Sequence, residues 1–257
     1  MRLRRLFTWV VATALVAAVP LVLDAQRGRR FFGFGGPQAG AVPYDGRWTF
    51  TRIRYNAAAF GGGWGSSAWN HDHPRADQNL PLILDSLTSV RPNLDTTQIL
   101  DLEDPEIFRQ PILYMWEPGY WRITDTGARH LGEYLRKGGF IIFDDFAGFG
   151  QFNGFRQALL KVLPDAQLLQ LDASHPIFHS FFDIDTLNFR HPYWGQEATF
   201  FGVFEDNDPR KRLLLIANAD NDIGESWEWS DTGYIPIELS NTAFRLGINY
   251  LVYALTH

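Results

Sequence analysis

Gly138-Gly139-Phe140-Ile141-Ile142-Phe143-Asp144-Asp145 is the stretch that decides the fold. Two glycines end whatever precedes them, four apolar residues follow without alternation, and two acids close the run. An unbroken apolar run of this length is expected of a strand covered by helices on both faces, as in a parallel sheet. On its amino-terminal side, Thr124 and Asp125 open a helix whose Leu131, Tyr134 and Leu135 share a face and which Gly138 stops. On its carboxyl-terminal side, Phe155, Ala158, Leu159, Val162 and Leu163 mark the next helix, closed by Pro164. Farther out, strands are expected over 48–55, 98–102, 111–116 and 213–217. Leu80, Ile83, Leu84 and Leu87 carry an apolar helical stripe, as do Phe244, Ile248, Leu251, Val252 and Leu255, the latter helix capped by Ser240 or Asn241. Strands alternating with helices imply one α/β domain over 47–257, with a mostly parallel sheet wound on both sides.

The 257-residue chain carries 29 acidic against 23 basic side chains, a net charge of -6, which does not supply the basic face that duplex nucleic acid requires. A hydrophobic share of 46% supports one sizeable core and excludes wholesale disorder. The absence of Cys removes disulfides, thiolate nucleophiles and cysteine zinc sites together.

Arg2, Arg4 and Arg5 precede the apolar run Leu6 to Leu23, and Ala25 offers a small residue for cleavage. This is the layout of a signal peptide over 1–25, with an uncleaved membrane anchor as its rival; either reading places the folded part outside the cytoplasm. Cutting after Ala25 removes three Arg and one Asp and takes the net charge from -6 to -8. Residues 26–46, with Arg27, Arg29, Arg30 and several glycines, read as a flexible, solvated linker, with contact of the arginines with anionic lipid as the lesser alternative, and membrane proximity is expected through the N-terminal segment.

Ligands of open parallel sheets sit at the carboxyl ends of the strands. Asp144 and Asp145 occupy such an end, one facing the crevice and the other capping the next turn; the alternative is that both cap backbone N–H groups of the loop 146–154. His71, Asp72 and His73 follow the glycine-rich stretch 61–65. If extended, this segment points His71 and His73 to one side and Asp72 to the other, and with Asp145 the two imidazoles make a two-His, one-carboxylate metal set. The alternative is a helix cap before Pro74. Glu117 ends the strand 111–116. His175 and His179 stand at helical i, i+4 spacing, but no Glu follows His175, so the metalloprotease pattern fails and a structural role is expected. Gly148, Gly150 and Gly154 lie between a strand and a helix without the dinucleotide spacing, and the adjacent acids repel a pyrophosphate. No Gly-x-Ser-x-Gly elbow or Walker lysine loop occurs. Trp64, Trp69, Trp116, Trp121, Trp194, Trp227 and Trp229 fall largely in expected loops, which suggests an aromatic binding surface.

The strand 50–55, His71-Asp72-His73-Pro74-Arg75-Ala76, Glu117-Pro118-Gly119, 138–145, Asp172-Ala173-Ser174-His175-Pro176-Ile177-Phe178, Trp227-Glu228-Trp229-Ser230 and the ending 249–257 resemble, in the same order, the bacterial family of domain of unknown function 4159. The resemblance implies a three-layer, flavodoxin-like fold of the class I glutamine amidotransferase-like type. It also implies an envelope setting beside MoxR-type ATPases and von Willebrand factor A proteins, with no established activity. Those amidotransferases use a Cys nucleophile that this chain lacks, so it is not a glutaminase. The expected function is an exported, non-enzymatic module that binds an envelope protein partner or small ligand in a crevice bounded by His71, Asp72, His73, Glu117, Asp144, Asp145 and His175. No cofactor is required by this reading. The rival is a metal-assisted hydrolase of envelope sugars or esters, with a divalent metal on His71, His73 and Asp145 and with Asp144 or Glu117 as base.

Overall fold

Phe140–Phe146 (β7) forms the centre of an eight-stranded sheet in the computed structural model, which describes residues 38–39, 42–57, 67–191 and 195–257. The remaining strands are Gln38–Ala39 (β1), Thr51–Arg54 (β2), Gln98–Asp101 (β4), Ile112–Trp116 (β5), Leu169–Gln170 (β8), Thr199–Phe204 (β9) and Leu213–Ala219 (β10). Their order is β1-β4-β2-β5-β7-β10-β9-β8. The pairings from β1 through β10 are parallel, whereas β9 is antiparallel to both β10 and β8. A separate antiparallel ribbon joins Asn56–Ala57 (β3) to Trp121–Arg122 (β6).

The main helices are Arg75–Leu87 (α1), Asp125–Arg136 (α2), Gly148–Val162 (α3), Ile223–Glu228 (α4) and Ile237–Thr256 (α5). Side chains alternate across β7. Phe140 and Ile142 enter a core with Leu80 and Leu84 of α1, Trp227 of α4 and Leu251 of α5. Ile141 and Phe143 enter the opposite core with Leu131 and Leu135 of α2 and Phe155 and Leu159 of α3. Both faces are therefore covered, which is why the run needed no polar alternation. The result is a three-layer α/β domain of the flavodoxin-like kind with a mostly parallel sheet.

Several boundaries differ from the sequence reading. α3 starts at Gly148, so Gly148, Gly150 and Gly154 lie in a helix and not in a loop. Gly154 permits the helix to dock: a Cβ there would lie 2.4 Å from the carbonyl oxygen of Gly119. α5 starts at Ile237 after Pro236, and Ser240, expected as its cap, is buried within it. β9 escaped notice because its Thr199-Phe200-Phe201-Gly202-Val203-Phe204 has no clean alternation and is interrupted by Gly202. Within the stretch read as a linker, Gln38–Ala39 pairs with Gln98 and Ile99, since an edge strand needs main-chain partners and no side-chain period.

Pro37–His257 form one compact unit. The expected signal or anchor over 1–25, the linker up to residue 37, Trp64 and Trp194 lie outside the described residues. Among the described residues no helix is long and apolar enough to cross a membrane.

Candidate functional site

β2 leads into the site through Arg52, which is wholly buried with Asp77 of α1. Its Nε donates to Asp77 Oδ2 at 3.0 Å, and its remaining nitrogens donate to Asp77 Oδ1, to the carbonyl of Trp69 at 2.8 Å and to that of His71 at 2.7 Å. The guanidinium carbon also lies 3.5 Å over the Trp116 ring. One side chain thus pins the segment that returns from β2 toward α1.

That segment is not extended. Asp72 has φ 58°, a left-handed turn that breaks the alternation expected of His71, Asp72 and His73. His71 and Asp72 consequently face the carboxyl ends of the strands, while His73 turns toward α1, its Nδ1 3.5 Å from Asp77 Oδ2. The set of His71 and His73 on one ion, with Asp72 facing away, is corrected on this ground: Asp72 joins His71, and His73 does not. Burial pushes the His73 pKa below its ordinary value.

β5 ends at Trp116 and Glu117, and Glu117 is left-handed at φ 45°. The Tyr55 hydroxyl lies 2.9 and 2.7 Å from the Trp116 and Glu117 carbonyls and holds this turn. β7 carries the next feature, an irregularity against β10. Ala217 pairs with Phe143 and Ala219 with Phe146, so the β7 side holds one more residue than its partner. Such a bulge re-aims side chains at a sheet rim. Here it separates the two aspartates, and Asp145 has φ 59°.

Asp144 points inward. Its carboxylate accepts from the Tyr114 hydroxyl at 2.8 Å, Asn218 Nδ2 at 2.9 Å and the backbone N–H groups of Ile223 and Gly224 at 2.9 and 3.0 Å. It therefore caps α4, and the expected cap of loop 146–154 is corrected accordingly. Burial nevertheless raises its pKa to about 7. Asp145 points into the crevice, with Oδ2 2.5 Å from His71 Nδ1. Glu117 Oε1 lies 3.3 Å from the same nitrogen. The hydrogen bond with Asp145 raises the His71 pKa to about 10, although half of that side chain is exposed. Burial, reinforced by Asp145, lifts Glu117 to about 8.

Asp72 is the most constrained of the set. Its side chain is 1% exposed, Oδ2 accepts from Trp116 Nε1 at 2.8 Å, and Oδ1 has no hydrogen-bond partner. Gly224 is required beside it, because a Cβ there would lie 2.4 Å from Trp116 Nε1 and 2.7 Å from Asp72 Oδ2. Asp222, just past β10, completes the cluster. Burial and the neighbouring acids push the Asp72 and Asp222 carboxyls well above the usual carboxylate range. Ligand atoms of His71, Asp72, Asp145 and Asp222 all lie within 4.8 Å of one another, a spacing at which they could hold a metal ion. A second group of this kind contains His191, Asp222 and Glu225.

A cavity of about 360 Å³ opens on His71 and Asp72, walled by Glu225, Glu228, Trp229 and Tyr234. A larger one, about 820 Å³ between 119–123 and α3, touches none of these acids. The smaller cavity is the one tied to the chemistry.

The structure brings His71, Asp72, Glu117 and Asp145 together. His175 is elsewhere: its ring packs 5.5 Å from Phe204 and 6.0 Å from Tyr253, at the rim where β7 and β10 begin. His179 does not join it, bonding instead to Asp183 at 3.1 Å and the Ala173 carbonyl at 2.7 Å, because a 3₁₀ turn at 176–179 replaces the expected helical spacing. Of the tryptophans read as a surface, Trp116, Trp121 and Trp227 are core residues, and Trp229 walls the cavity. Sequence reasoning missed Asp222, which Asp220-Asn221-Asp222 directly after a parallel strand could have signalled. His191 and Glu225 meet across 34 residues and left no local signal.

No curated protein matches this chain. The family model described as domain of unknown function (DUF4159) matches residues 49–255, nearly the whole of the folded part, and the chain belongs to that family.

Proposed function

We propose that this is an exported, envelope-associated α/β domain that binds a divalent cation at the carboxyl rim of its sheet. The cation is then presented to a small ligand or partner protein in the adjoining cavity. The observation that carries this reading is the convergence of His71, Asp72, Asp145 and Asp222 around a buried carboxylate oxygen that lacks a partner. A buried polar oxygen of this kind is ordinarily hydrogen-bonded or metal-bound. Export is supported by the basic, then apolar, first 25 residues. A fold relationship to class I glutamine amidotransferase-like domains accords with the parallel sheet, but without Cys the thiolate chemistry of those enzymes does not transfer. In the envelope, MoxR-type ATPase and von Willebrand factor A systems are the partners this family setting favours. Elemental analysis of protein purified without chelator tests the cation: stoichiometric metal is expected, reduced in Asp145→Asn, and metal-free protein that takes up none on dialysis against Mn²⁺ contradicts it.

One observation favours a second reading, metal-assisted hydrolysis of envelope esters or sugars. Glu117 stands 3.3 Å from His71 with a pKa raised to about 8, near the operating range of a general base. Asp144, fully engaged in capping α4, is not available for that role. Turnover of a chromogenic ester by Mn²⁺-loaded protein, lowered about a hundredfold or more in Glu117→Gln, is the signature of this reading.

A further inference from the structure

We infer that the rim seats two divalent cations, the second on His191, Asp222 and Glu225, with Asp222 shared between the two seats. This deepens the cation reading above and rests on it. His191 and Asp222 are 2% and 1% exposed, and His191 Nε2 lies 2.8 Å from Glu225 Oε2. Ligand atoms of the three residues lie within 4.8 Å of one another, as do those of the first seat, and Asp222 belongs to both groups. A carboxylate common to two donor sets is the arrangement that bridges a pair of ions in two-metal centres, which sit about 3.5–4 Å apart.

Asp72, Asp145, Asp222, Glu117 and Glu225 gather at this rim, and the ion pairs recorded for them among the described residues involve only the imidazoles of His71 and His191. Independently of the acids' number, Asp72 Oδ1 is a buried acceptor without a partner at the edge of this centre, 3.9 Å from His71 Nε2. Each seat offers one imidazole with carboxylates and no thiolate, a donor set suited to Mn²⁺ or Zn²⁺ and unsuited to Cu(I).

Calorimetric titration of the purified full chain with Mn²⁺, followed by electron paramagnetic resonance at saturation, tests the pair. Two Mn²⁺ per chain with a spin-coupled spectrum are expected. Glu225→Gln and His191→Asn each reduce the number to one and restore an uncoupled six-line signal. Asp222→Asn, which retains an acceptor for the Glu225 N–H, abolishes the coupling and weakens binding at least tenfold. Should buried His191→Asn fail to fold, the more exposed Glu225→Gln carries the test. One Mn²⁺ per chain in the unaltered protein, or a second ion that survives both Glu225→Gln and Asp222→Asn, overturns the second seat and leaves the first standing. No Mn²⁺ bound at all overturns both.

Discussion

Arg52 holds more of the site in place than any residue that faces the crevice. It neutralises Asp77, accepts the Trp116 ring against its face and donates to the carbonyl of His71, so it ties β2, β5 and the His71–Asp72 turn to α1. Replacing it by Met leaves Asp77 charged and uncompensated in the core. Arg52→Met should therefore lower stability by about 3–5 kcal/mol in urea unfolding, with part of the loss recovered in Arg52→Met/Asp77→Leu. A single-variant loss within the range of surface pairs, below about 1 kcal/mol, contradicts this account of the anchor. None of this was visible in the sequence. Two residues after Phe50, Arg52 shares its face of the strand, but only the tertiary contact with Asp77, 25 residues on, shows what compensates the charge there.

At the scale of elements, β5, β7, β10, α2 and α5 were legible because each declares itself locally, by an unbroken apolar run or by a stripe of period 3.6. The direction of the two aspartates was not. It depends on a one-residue bulge in β7 against β10, and a bulge is a property of the pairing, which the β7 segment alone does not encode. The His71–His73 geometry failed for a similar reason, since the left-handed Asp72 is set by the tether from Arg52. The turn at 176–179 gives a prediction at this scale. His175 caps it by accepting from the Ile177 N–H at 3.2 Å, and burial against Phe204 and Tyr253 pushes its pKa below the ordinary value. The unfolded chain then takes up the proton first. Stability from this group is fully present above about pH 6.5 and is lost as pH falls through the lower, folded value. His175→Asn keeps a capping acceptor and should show a smaller drop in urea midpoint between pH 7.5 and pH 5.5 than the unaltered protein. An identical drop in both proteins contradicts the assignment.

For the whole molecule, the parallel core sets the chemistry. β5, β7 and β10 deliver Glu117, Asp145 and Asp222 to one rim, and the turn after β2 brings His71 and Asp72 to meet them. The rim was readable from strand ends alone, which is why Asp145, Glu117 and His71 were placed at the same end of the sheet. His175, placed with them on sequence grounds, lies at the other rim, because a histidine in a loop carries no sign of which end of the sheet the loop serves. The central claim is that the converging acids are a cation seat and not a solvated cluster. Thermal unfolding of the purified chain with and without Mn²⁺, alongside Asp145→Asn, tests it most directly. At a cation concentration about a hundredfold above Kd, binding to the folded state adds about 2.7 kcal/mol and should raise Tm by about 5–10 °C, with a smaller rise in Asp145→Asn. An equal Tm with and without Mn²⁺, or an equal rise in both proteins, contradicts it.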